Sequence, residues 1–283
     1  MTPSQVDNRS SFARFFQAEE HQPFSLNGGQ PAAILVHGYP GSPAEMRPLG
    51  LSLHREGWSA YGPLLPGFGA DIDTLPERRY PEWVEEVRRQ VAQVSQRHDP
   101  VLLIGFSLGA AVALLAAVQQ PPDALILLAP FTTLESWLWK TLPLTRRLFP
   151  TIRPFRLIKI DFSDPKTRQE MDKFMPGVDW DDPQIRQGVR EFALPVAMFD
   201  EIRKAGIQAL RAADELHLPV LVIQGAQDQL VQPRQTRRLV ERLPRLHQYL
   251  EVSASHDLPD PTKPAWRMVE AAVLDFARSQ GFR

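Results

Sequence analysis

The 283-residue chain contains no cysteine, so disulfides, a thiol nucleophile and thiolate metal sites are excluded for it. It also has almost no excess of charge of either sign, because 32 Lys and Arg residues stand against 33 Asp and Glu residues, a formal net charge of −1. This balance gives nucleic acid or an anionic membrane surface no electrostatic basis for binding. No cluster of histidines and carboxylates has the spacing of metal ligands, and we expect neither a metal nor another cofactor.

Long apolar runs are missing as well. No run approaches the ~20 residues of a membrane-spanning helix, so we predict no integral membrane segment. Residues 1–16 lack the basic and apolar stretches of a signal peptide, and we therefore expect a cytoplasmic protein. What the chain does have is 43% apolar residues, enough for one large α/β domain with a sizeable core.

The sequence around Ser107 is the most informative stretch. An apolar run at 101–104 ends at Gly105, Ser107 follows, and after Gly109 comes a segment rich in alanine and leucine. This is a G-x-S-x-G motif between a predicted strand and a predicted helix, which is typical of a nucleophile elbow. We expect a strained backbone at Ser107, with neighbouring chain too close to both glycines for a side chain. The structural alternative is a buried strand that enters a core helix beside an incidental serine.

Strand-like and helix-like segments alternate through most of the chain. Strands are predicted at 32–36, 58–64, 101–104, 123–129, 219–224 and 248–252. Helices are predicted at 43–56, 80–97, 233–243 and 265–279, in addition to the one after Ser107. This alternation predicts an α/β fold, a doubly wound, mostly parallel sheet flanked by helices. Residues 22–26 form a predicted edge strand, and Asn27–Gly28–Gly29 is a predicted hairpin turn.

The alternation stops over residues 131–216. This segment has few strand-like runs, many prolines and many aromatic residues, and it is longer than a typical loop. We interpret it as an inserted, mainly helical cap on an α/β core formed by residues 1–130 and 217–283. A cap above the nucleophile would line an acyl pocket, although aromatic residues could equally attach the cap to the core. The candidate pocket residues are Trp137, Trp139, Phe174, Trp180 and Phe199.

A serine nucleophile needs a histidine base. His256 follows the predicted strand 248–252, in the loop at its carboxyl end, where parallel sheets build their sites. His217 immediately precedes a strand and His247 begins one, so both would face the wrong end of the sheet. His256 is therefore the predicted base for Ser107.

The base in turn needs an acid that fixes its tautomer and stabilises its charged form. Asp228 lies just after the predicted strand 219–224, in a turn that Gly225 makes sharp enough to point back toward the histidine. Asp257 and Asp260 are rivals because they lie close to the histidine in sequence. Neighbouring side chains in an extended loop diverge, so Asp257 ranks below Asp228.

Ester or amide cleavage also needs two backbone N–H groups that stabilise an oxyanion. Leu108, the residue after the nucleophile, is expected to supply one of them. The other is assigned to Tyr39, in the loop after the strand at 32–36, where His37 is expected to support the loop rather than transfer protons.

Five segments together resemble the α/β-hydrolase superfamily, and within it the bacterial carboxylesterases and monoacylglycerol lipases. They are LVHGYPGSPAEMRPLG, LLPGFGAD, GFSLGAAVAL, PVLVIQGAQDQLV and SASHD. The similarity runs from Gln22 to the C-terminus and is weakest in the cap. It implies the α/β-hydrolase fold, with roles that agree with those assigned above for the following residues: Ser107, Asp228, His256, Tyr39 and Leu108. Two positions depart from the family pattern, since Phe68 replaces a common histidine and Ser255 replaces the usual glycine before the base.

We therefore expect a serine hydrolase that acts on a small-molecule carboxylic ester, of the short- to medium-chain or monoacylglycerol kind, through an acyl-enzyme. A thioesterase, an amidase, an acyltransferase or a C–C bond hydrolase would use the same triad. A dehalogenase is disfavoured, because the elbow carries serine and not aspartate. A non-catalytic hydrolase-like binding protein is the alternative outside enzymes.

Overall fold

The computed structural model describes residues 13, 16–134, 139, 141–142, 151–152, 160–165, 167–168, 179–191 and 194–282. The strands in these ranges are, in chain order, β1 (Phe24–Leu26), β2 (Ala32–Val36), β3 (Ser59–Gly62), β4 (Val101–Phe106), β5 (Ala124–Leu128), β6 (Thr151–Ile152), β7 (Leu194–Pro195), β8 (Val220–Gly225) and β9 (Leu246–Val252). The longer α-helices are α1 (Arg47–Arg55), α2 (Tyr80–Val94), α3 (Leu108–Gln119), α4 (Pro183–Glu191), α5 (Val196–Ala212), α6 (Pro233–Val240) and α7 (Trp266–Ser279).

Seven strands form one sheet in the order β1-β3-β2-β4-β5-β8-β9. All neighbouring pairs are parallel except β1 with β3. The chain winds outward from β2 to β3 and then returns to place β4 on the other side of β2. The doubly wound, mostly parallel sheet predicted from the sequence is therefore confirmed. Open α/β sheets that change direction in this way, here between β2 and β4, commonly bind ligands at the carboxyl ends of the strands.

The predicted hairpin between β1 and β2 is wrong, because β1 pairs antiparallel with β3 instead. The segment after β1 is held against the start of β3. Gly28 N–H donates to Ser59 Oγ at 3.0 Å, and Gly29 N–H donates to Gly57 O at 2.6 Å. These bonds carry the chain past β3, so that β2 enters the sheet on its far side.

Helices cover both faces of the sheet, which explains why four of its strands are apolar throughout. β2, β4, β5 and β8 are buried along their whole length. On one face, α2, α3 and α5 pack together with alternate strand residues; on the other, α1 and α7 do so. The predicted apolar stripe of α2 is buried as expected, through Trp83, Val84, Val87, Val91 and Val94.

The helix predicted over 43–56 is divided in the structure. A 3-10 turn at Pro43–Glu45 precedes α1, and Ser42 caps that turn by accepting a hydrogen bond from Ala44 N–H at 3.3 Å. The Glu45 side chain does not cap this turn; it extends to a main-chain group of the preceding loop, as described below.

The described part of the segment 131–216 contains α4 and α5, and also a small antiparallel pairing of β6 with β7 that the helical prediction lacked. Helix α5 packs directly against the core helices α2 and α3. At Gly206 it approaches the main chain so closely that an added Cβ would lie 2.4 Å from Thr132 O. The limits of a cap at 131 and 216 remain a prediction.

Of two buried acids near the start of α5, Glu201 bonds to α2 and Asp200 bonds within α5. Glu201 accepts a hydrogen bond from Tyr80 N–H at 3.2 Å and one from Lys204 at 2.7 Å. Asp200 pairs with Arg203 at 2.7 Å, and burial, which raises its pKa, is outweighed by hydrogen bonds from Arg203 and Lys204 that lower it. This part of α5 is therefore held firmly where it borders the carboxyl ends of the strands. Within the described ranges, no helix is long and apolar enough to cross a bilayer.

Candidate active site

Ser107 lies at the turn between β4 and α3, with φ 54° and ψ −117°. This left-handed backbone is costly for a non-glycine residue, and hydrogen bonds hold it, including one of 2.9 Å from Ser107 N–H to Leu128 O. An added Cβ at Gly105 would lie 2.5 Å from Gly109 O, and one at Gly109 would lie 2.2 Å from His37 O. Both glycines of the motif are thus required by contact with backbone, as the sequence predicted.

His256 lies in the loop after β9, with its ring between Ser107 and Asp228. Its Nε2 atom is 3.0 Å from Ser107 Oγ, and its Nδ1 atom is 2.7 Å from Asp228 Oδ2. The imidazole is partly exposed and packs against the Phe106 ring, with 5.0 Å between the ring centroids. The structure thus brings together the three residues that the sequence singled out for nucleophile, base and acid.

The Asp228 carboxylate is fully buried and receives several hydrogen bonds. Oδ1 accepts from Leu230 N–H at 2.9 Å and from Val231 N–H at 2.8 Å, while Oδ2 also accepts from Gln224 Nε2 at 3.2 Å. These donors satisfy the lone pairs that His256 does not use and fix the orientation of the carboxylate. The acid is therefore held in position before any substrate binds.

The loops after β8 and β9 are tied together, which explains how Asp228 reaches the histidine. Gln227 N–H donates to Ala254 O at 2.9 Å. At Gly225 an added Cβ would lie 2.0 Å from Ser255 O, so only glycine permits this approach. The sharp turn predicted from Gly225 is found.

The loop after β2 passes beside the nucleophile. An added Cβ at Gly38 would lie 3.2 Å from Ser107 Cβ. Among the described residues, no acceptor pairs with the N–H of Tyr39 or with that of Leu108, the first residue of α3. The positive end of α3 adds to the potential that an anion would experience here. The two predicted oxyanion donors therefore lie in segments that meet at Ser107.

His37 is fully buried, and burial lowers its pKa to about 4. Its Nε2 accepts from Leu65 N–H at 3.1 Å, so Nδ1 carries the proton and donates to Gly38 O at 2.9 Å. The neutral ring thus links two loops and supports the one that contains Tyr39. Within the described part of the chain, its ring nitrogens bond to Gly38 O and Leu65 N–H and not to Ser107, in agreement with the supporting role expected of it.

The structure accommodates both residues that depart from the family pattern, Phe68 and Ser255. Phe68 is fully buried and packs edge-on against His37, Tyr39 and Trp83, with 5.1, 6.2 and 5.7 Å between ring centroids. An aromatic ring thus supports the Tyr39 loop at the position where histidine is common. Ser255 is exposed and is not among the residues with positive φ, so its backbone does not require glycine.

The rival residues lie elsewhere or have other partners. His217 and His247 are exposed and lie at the amino ends of β8 and β9, away from Ser107. Asp257 pairs with Lys263 at 3.3 Å, and Asp260 accepts hydrogen bonds from Thr262.

Three of the five candidate pocket aromatics lie in the described residues. Phe199, in α5, packs edge-on against Tyr39 with 6.1 Å between centroids. Trp139 packs against Phe131 at 5.7 Å, and its buried Nε1 has no acceptor among the described residues. Trp180 stacks on Phe162 at 5.9 Å. Of these, Phe199 contacts the Tyr39 loop directly. Trp137 and Phe174 lie outside the described residues.

Two polar residues near the site were missed by the sequence reasoning. Gln224, the fully buried penultimate residue of β8, donates to Asp228 and accepts from Thr236 Oγ1 at 2.6 Å. The sequence feature that could have identified Gln224 is that a polar residue follows four apolar ones near the carboxyl end of the strand. Glu45 accepts from Gly38 N–H at 3.0 Å. Its spacing from Ser42 is that of a helix capping box, which hides any other role.

No group of three or more His, Cys, Asp or Glu side chains in the described part of the chain could hold a metal ion. The groups that meet at this site are the Ser107 hydroxyl, the His256 imidazole, the Asp228 carboxylate and main-chain N–H groups.

Comparison with known proteins relates this chain to a family. A family model described as Hydrolase_4, serine aminopeptidase, S33, matches residues 30–258. A thermostable monoacylglycerol lipase of Bacillus sp. (strain H-257) is 29% identical over 100 residues, which are 35% of this chain and 40% of the lipase. A carboxylesterase of Bacillus subtilis (strain 168) is 26% identical over 106 residues, which are 37% of this chain and 43% of the esterase. The match therefore spans about two fifths of the length of these relatives.

Solved structures share the fold. One that belongs to work on LipS and LipT, two metagenome-derived lipolytic enzymes, superposes with a TM-score of 0.72 at 18% identity, covering 92% of this chain and 98% of the other. The resemblance to the α/β-hydrolases drawn from the sequence is thus confirmed, as is the α/β-hydrolase fold.

Proposed function

The chain belongs to the Hydrolase_4 family (serine aminopeptidase, S33), and we propose that it is a serine hydrolase that cleaves carboxylic esters. The observation that carries the proposal is the continuous set of contacts from Ser107 Oγ to His256 Nε2 at 3.0 Å and from His256 Nδ1 to Asp228 Oδ2 at 2.7 Å. A hydroxyl, an imidazole and a buried carboxylate at such distances form the arrangement that activates serine for attack on a carbonyl.

In the first half of the reaction, Ser107 Oγ attacks the ester carbonyl carbon and its proton passes to His256 Nε2. The carbonyl oxygen becomes an oxyanion that accepts from the N–H groups of Tyr39 and Leu108. When the carbon–oxygen bond to the alcohol breaks, His256 Nε2 returns the proton to the departing oxygen. The product of these steps is the alcohol and an acyl group covalently bound to Ser107.

In the second half, water takes the place of the alcohol. His256 Nε2 accepts a proton from the water, whose oxygen attacks the acyl carbon, and the same two N–H groups stabilise the second oxyanion. Collapse releases the carboxylic acid, and Ser107 regains its proton from His256. Asp228 remains ionised throughout, keeps the imidazole in the required tautomer and stabilises its charged form.

The substrates we propose are short- to medium-chain acyl esters or monoacylglycerols. The names of the two Bacillus relatives, a monoacylglycerol lipase and a carboxylesterase, support an ester over other acyl compounds. The contact of the Phe199 ring with Tyr39 supports an apolar acyl pocket beside the oxyanion donors.

An amide substrate is the second candidate, since the family is described as serine aminopeptidase. The same triad would also serve a thioesterase or an acyltransferase, and a non-catalytic binding protein would show no turnover at all.

The test is hydrolysis of p-nitrophenyl esters by the wild type and by Ser107→Ala, with amino-acid p-nitroanilides and acyl-CoA thioesters measured alongside. We expect ester turnover by the wild type and a loss of about 10³-fold or more in kcat for Ser107→Ala, because the attacking hydroxyl is gone. A fluorophosphonate should label Ser107 with one equivalent. A Ser107→Ala protein within tenfold of wild type would exclude Ser107 as nucleophile, and faster cleavage of anilides than of esters would favour the amidase.

A further inference from the structure

Two side chains hold the two polar main-chain groups of Gly38. Its N–H donates to Glu45 Oε2 at 3.0 Å, and its carbonyl oxygen accepts from His37 Nδ1 at 2.9 Å. The carbonyl of Gly38 and the N–H of Tyr39 belong to the same planar peptide group, so fixing one fixes the direction of the other. The bond from His37 therefore sets the direction of the Tyr39 N–H, while Glu45 anchors the preceding peptide group, which carries the Gly38 N–H.

The loop is shaped to admit the Glu45 carboxyl group. An added Cβ at Gly41 would lie 2.1 Å from Glu45 Cδ, so the side chain occupies space that only glycine leaves open. The charged groups that act on Glu45 are His256 and Asp257, in the loop that carries the base. The partly buried Glu45 side chain therefore lies against the loop that borders Ser107, where groups of the His256 loop act on it.

A simple capping role does not account for this arrangement. In a capping box the acid would reach back to the N–H of Ser42, but Glu45 bonds to the N–H of Gly38, four residues earlier. Burial also raises the pKa of Glu45 to about 7, which means that the site disfavours the charged carboxylate. Glu45 nevertheless accepts a hydrogen bond from the Gly38 N–H at this site, which indicates that its carboxyl group serves to hold that main-chain group.

We propose that Glu45 is a positioning residue for the oxyanion hole: it anchors the N–H of Gly38, and this fixed end, together with the His37 bond to the Gly38 carbonyl, directs the Tyr39 N–H at the reacting carbonyl oxygen. The inference rests on the proposed function, because it assigns a purpose to Glu45 only if an oxyanion forms at Ser107. It does not place Glu45 in contact with the substrate.

The first test compares Glu45→Ala, Glu45→Gln and the control Glu56→Ala, which removes an exposed glutamate at the end of α1. Alanine removes the acceptor, so kcat should fall about 10- to 100-fold with KM within about threefold, because a donor displaced by about 1 Å loses most of its effect. Glutamine retains an acceptor oxygen and should stay within about threefold of wild type. Glu56→Ala should match the wild type.

Binding of an alkyl trifluoromethyl ketone separates positioning from a general loss of structure. This inhibitor adds to Ser107 and leaves an oxyanion in the hole, so its inhibition constant should weaken in Glu45→Ala by the same factor as kcat/KM. The amide of Gly38 should also exchange its hydrogen faster in Glu45→Ala than in the wild type or Glu45→Gln, a readout that needs no substrate.

Gly41→Ala gives an independent variant in case Glu45→Ala does not fold, because the added methyl group displaces the carboxyl without removing it. It should reproduce the fall in kcat, and the double variant should be no worse than Glu45→Ala alone, since both act on one contact. The inference is wrong if Glu45→Ala or Gly41→Ala retains wild-type kcat, or if the ketone binds all variants equally.

Ser107→Ala, measured in the same assay, keeps the two claims apart. If Ser107→Ala is inactive and Glu45→Ala is as active as wild type, only the inference about Glu45 fails. If Ser107→Ala retains activity, the proposed function fails irrespective of the result for Glu45.

Discussion

The Nδ1 atom of His256 lies 2.7 Å from Asp228 Oδ2, although 28 residues separate them in sequence. The adjacent Asp257 pairs instead with Lys263. Asp228→Asn should therefore lower kcat by about 10³- to 10⁴-fold, because an amide can leave the imidazole in the wrong tautomer. Asp257→Asn, the matched control, should stay within about threefold of wild type. The measurement is kcat of the two variants on one p-nitrophenyl ester. A larger loss in Asp257→Asn than in Asp228→Asn would show that Asp257 is the acid.

Buried neutral His37 should make the protein sensitive to acid. Burial lowers its pKa from 6.5 to about 4, so between these values the unfolded chain binds a proton that the folded chain does not. The stability contributed above pH 6.5 is lost as the pH falls toward 4, by up to about 3 kcal/mol. Urea unfolding of the wild type and of His37→Gln at pH 7.5 and pH 4.5 measures this, and the variant should lose less stability over that interval. Equal losses would contradict the prediction.

Glu45 should make the stability of the protein depend on pH in the opposite direction. Burial raises its pKa from 4.5 to about 7, against a lowering by the Gly38 hydrogen bond and the His256 charge. Between these values the folded chain binds the proton and the unfolded chain does not, so stability present below pH 4.5 is lost as the pH rises through 7. Glu45→Gln cannot ionise, and its free energy of unfolding relative to wild type should therefore rise by about 1–3 kcal/mol from pH 4.5 to pH 8. A pH-independent difference would show that the carboxyl is not held in its neutral form.

The order of strands and helices follows from the sequence, because burial on both faces leaves a continuous apolar strand and burial on one face leaves a helical stripe such as that from Trp83 to Val94. The pairing of β1 was not predictable in this way. Asn27–Gly28–Gly29 has the composition of a hairpin turn, and only the long-range bonds from Gly28 and Gly29 to the start of β3 override it.

The same limit applies to the site. Ser107, Asp228 and His256 each follow a strand in a short loop with distinctive neighbours, so their types and spacing are informative. Glu45 has the spacing of a capping acid, and nothing local distinguishes a bond to Ser42 from a bond to Gly38. The aromatic residues of 131–216 are ambiguous for the same reason, since an aromatic side chain that lines a pocket has the same composition signal as one that fills a core.

Phe199 offers a test of the proposed acyl pocket. Its ring packs against Tyr39, at the edge of the oxyanion loop, and α5 is held there by the bond from Tyr80 N–H to Glu201. Each methylene transferred from water into an apolar pocket contributes about 0.8 kcal/mol, which is about a fourfold gain in kcat/KM per carbon. We therefore expect medium-chain p-nitrophenyl esters to be preferred over acetate, and Phe199→Ala to reduce the ratio of hexanoate to acetate kcat/KM by about tenfold.

Phe282→Ala is the matched control for Phe199→Ala, because Phe282 is also partly buried but packs against Trp58, in the core cluster on the α1 and α7 face of the sheet. Each substitution removes a partly buried phenyl ring, so both should lower the melting temperature. Only the change at Phe199 should alter chain-length selectivity. Equal ratios for the two variants would mean that Phe199 only attaches α5 to the Tyr39 loop. The acyl chain would then have to lie against other residues, since a ring that lined its pocket could not be removed without changing the contribution of each methylene.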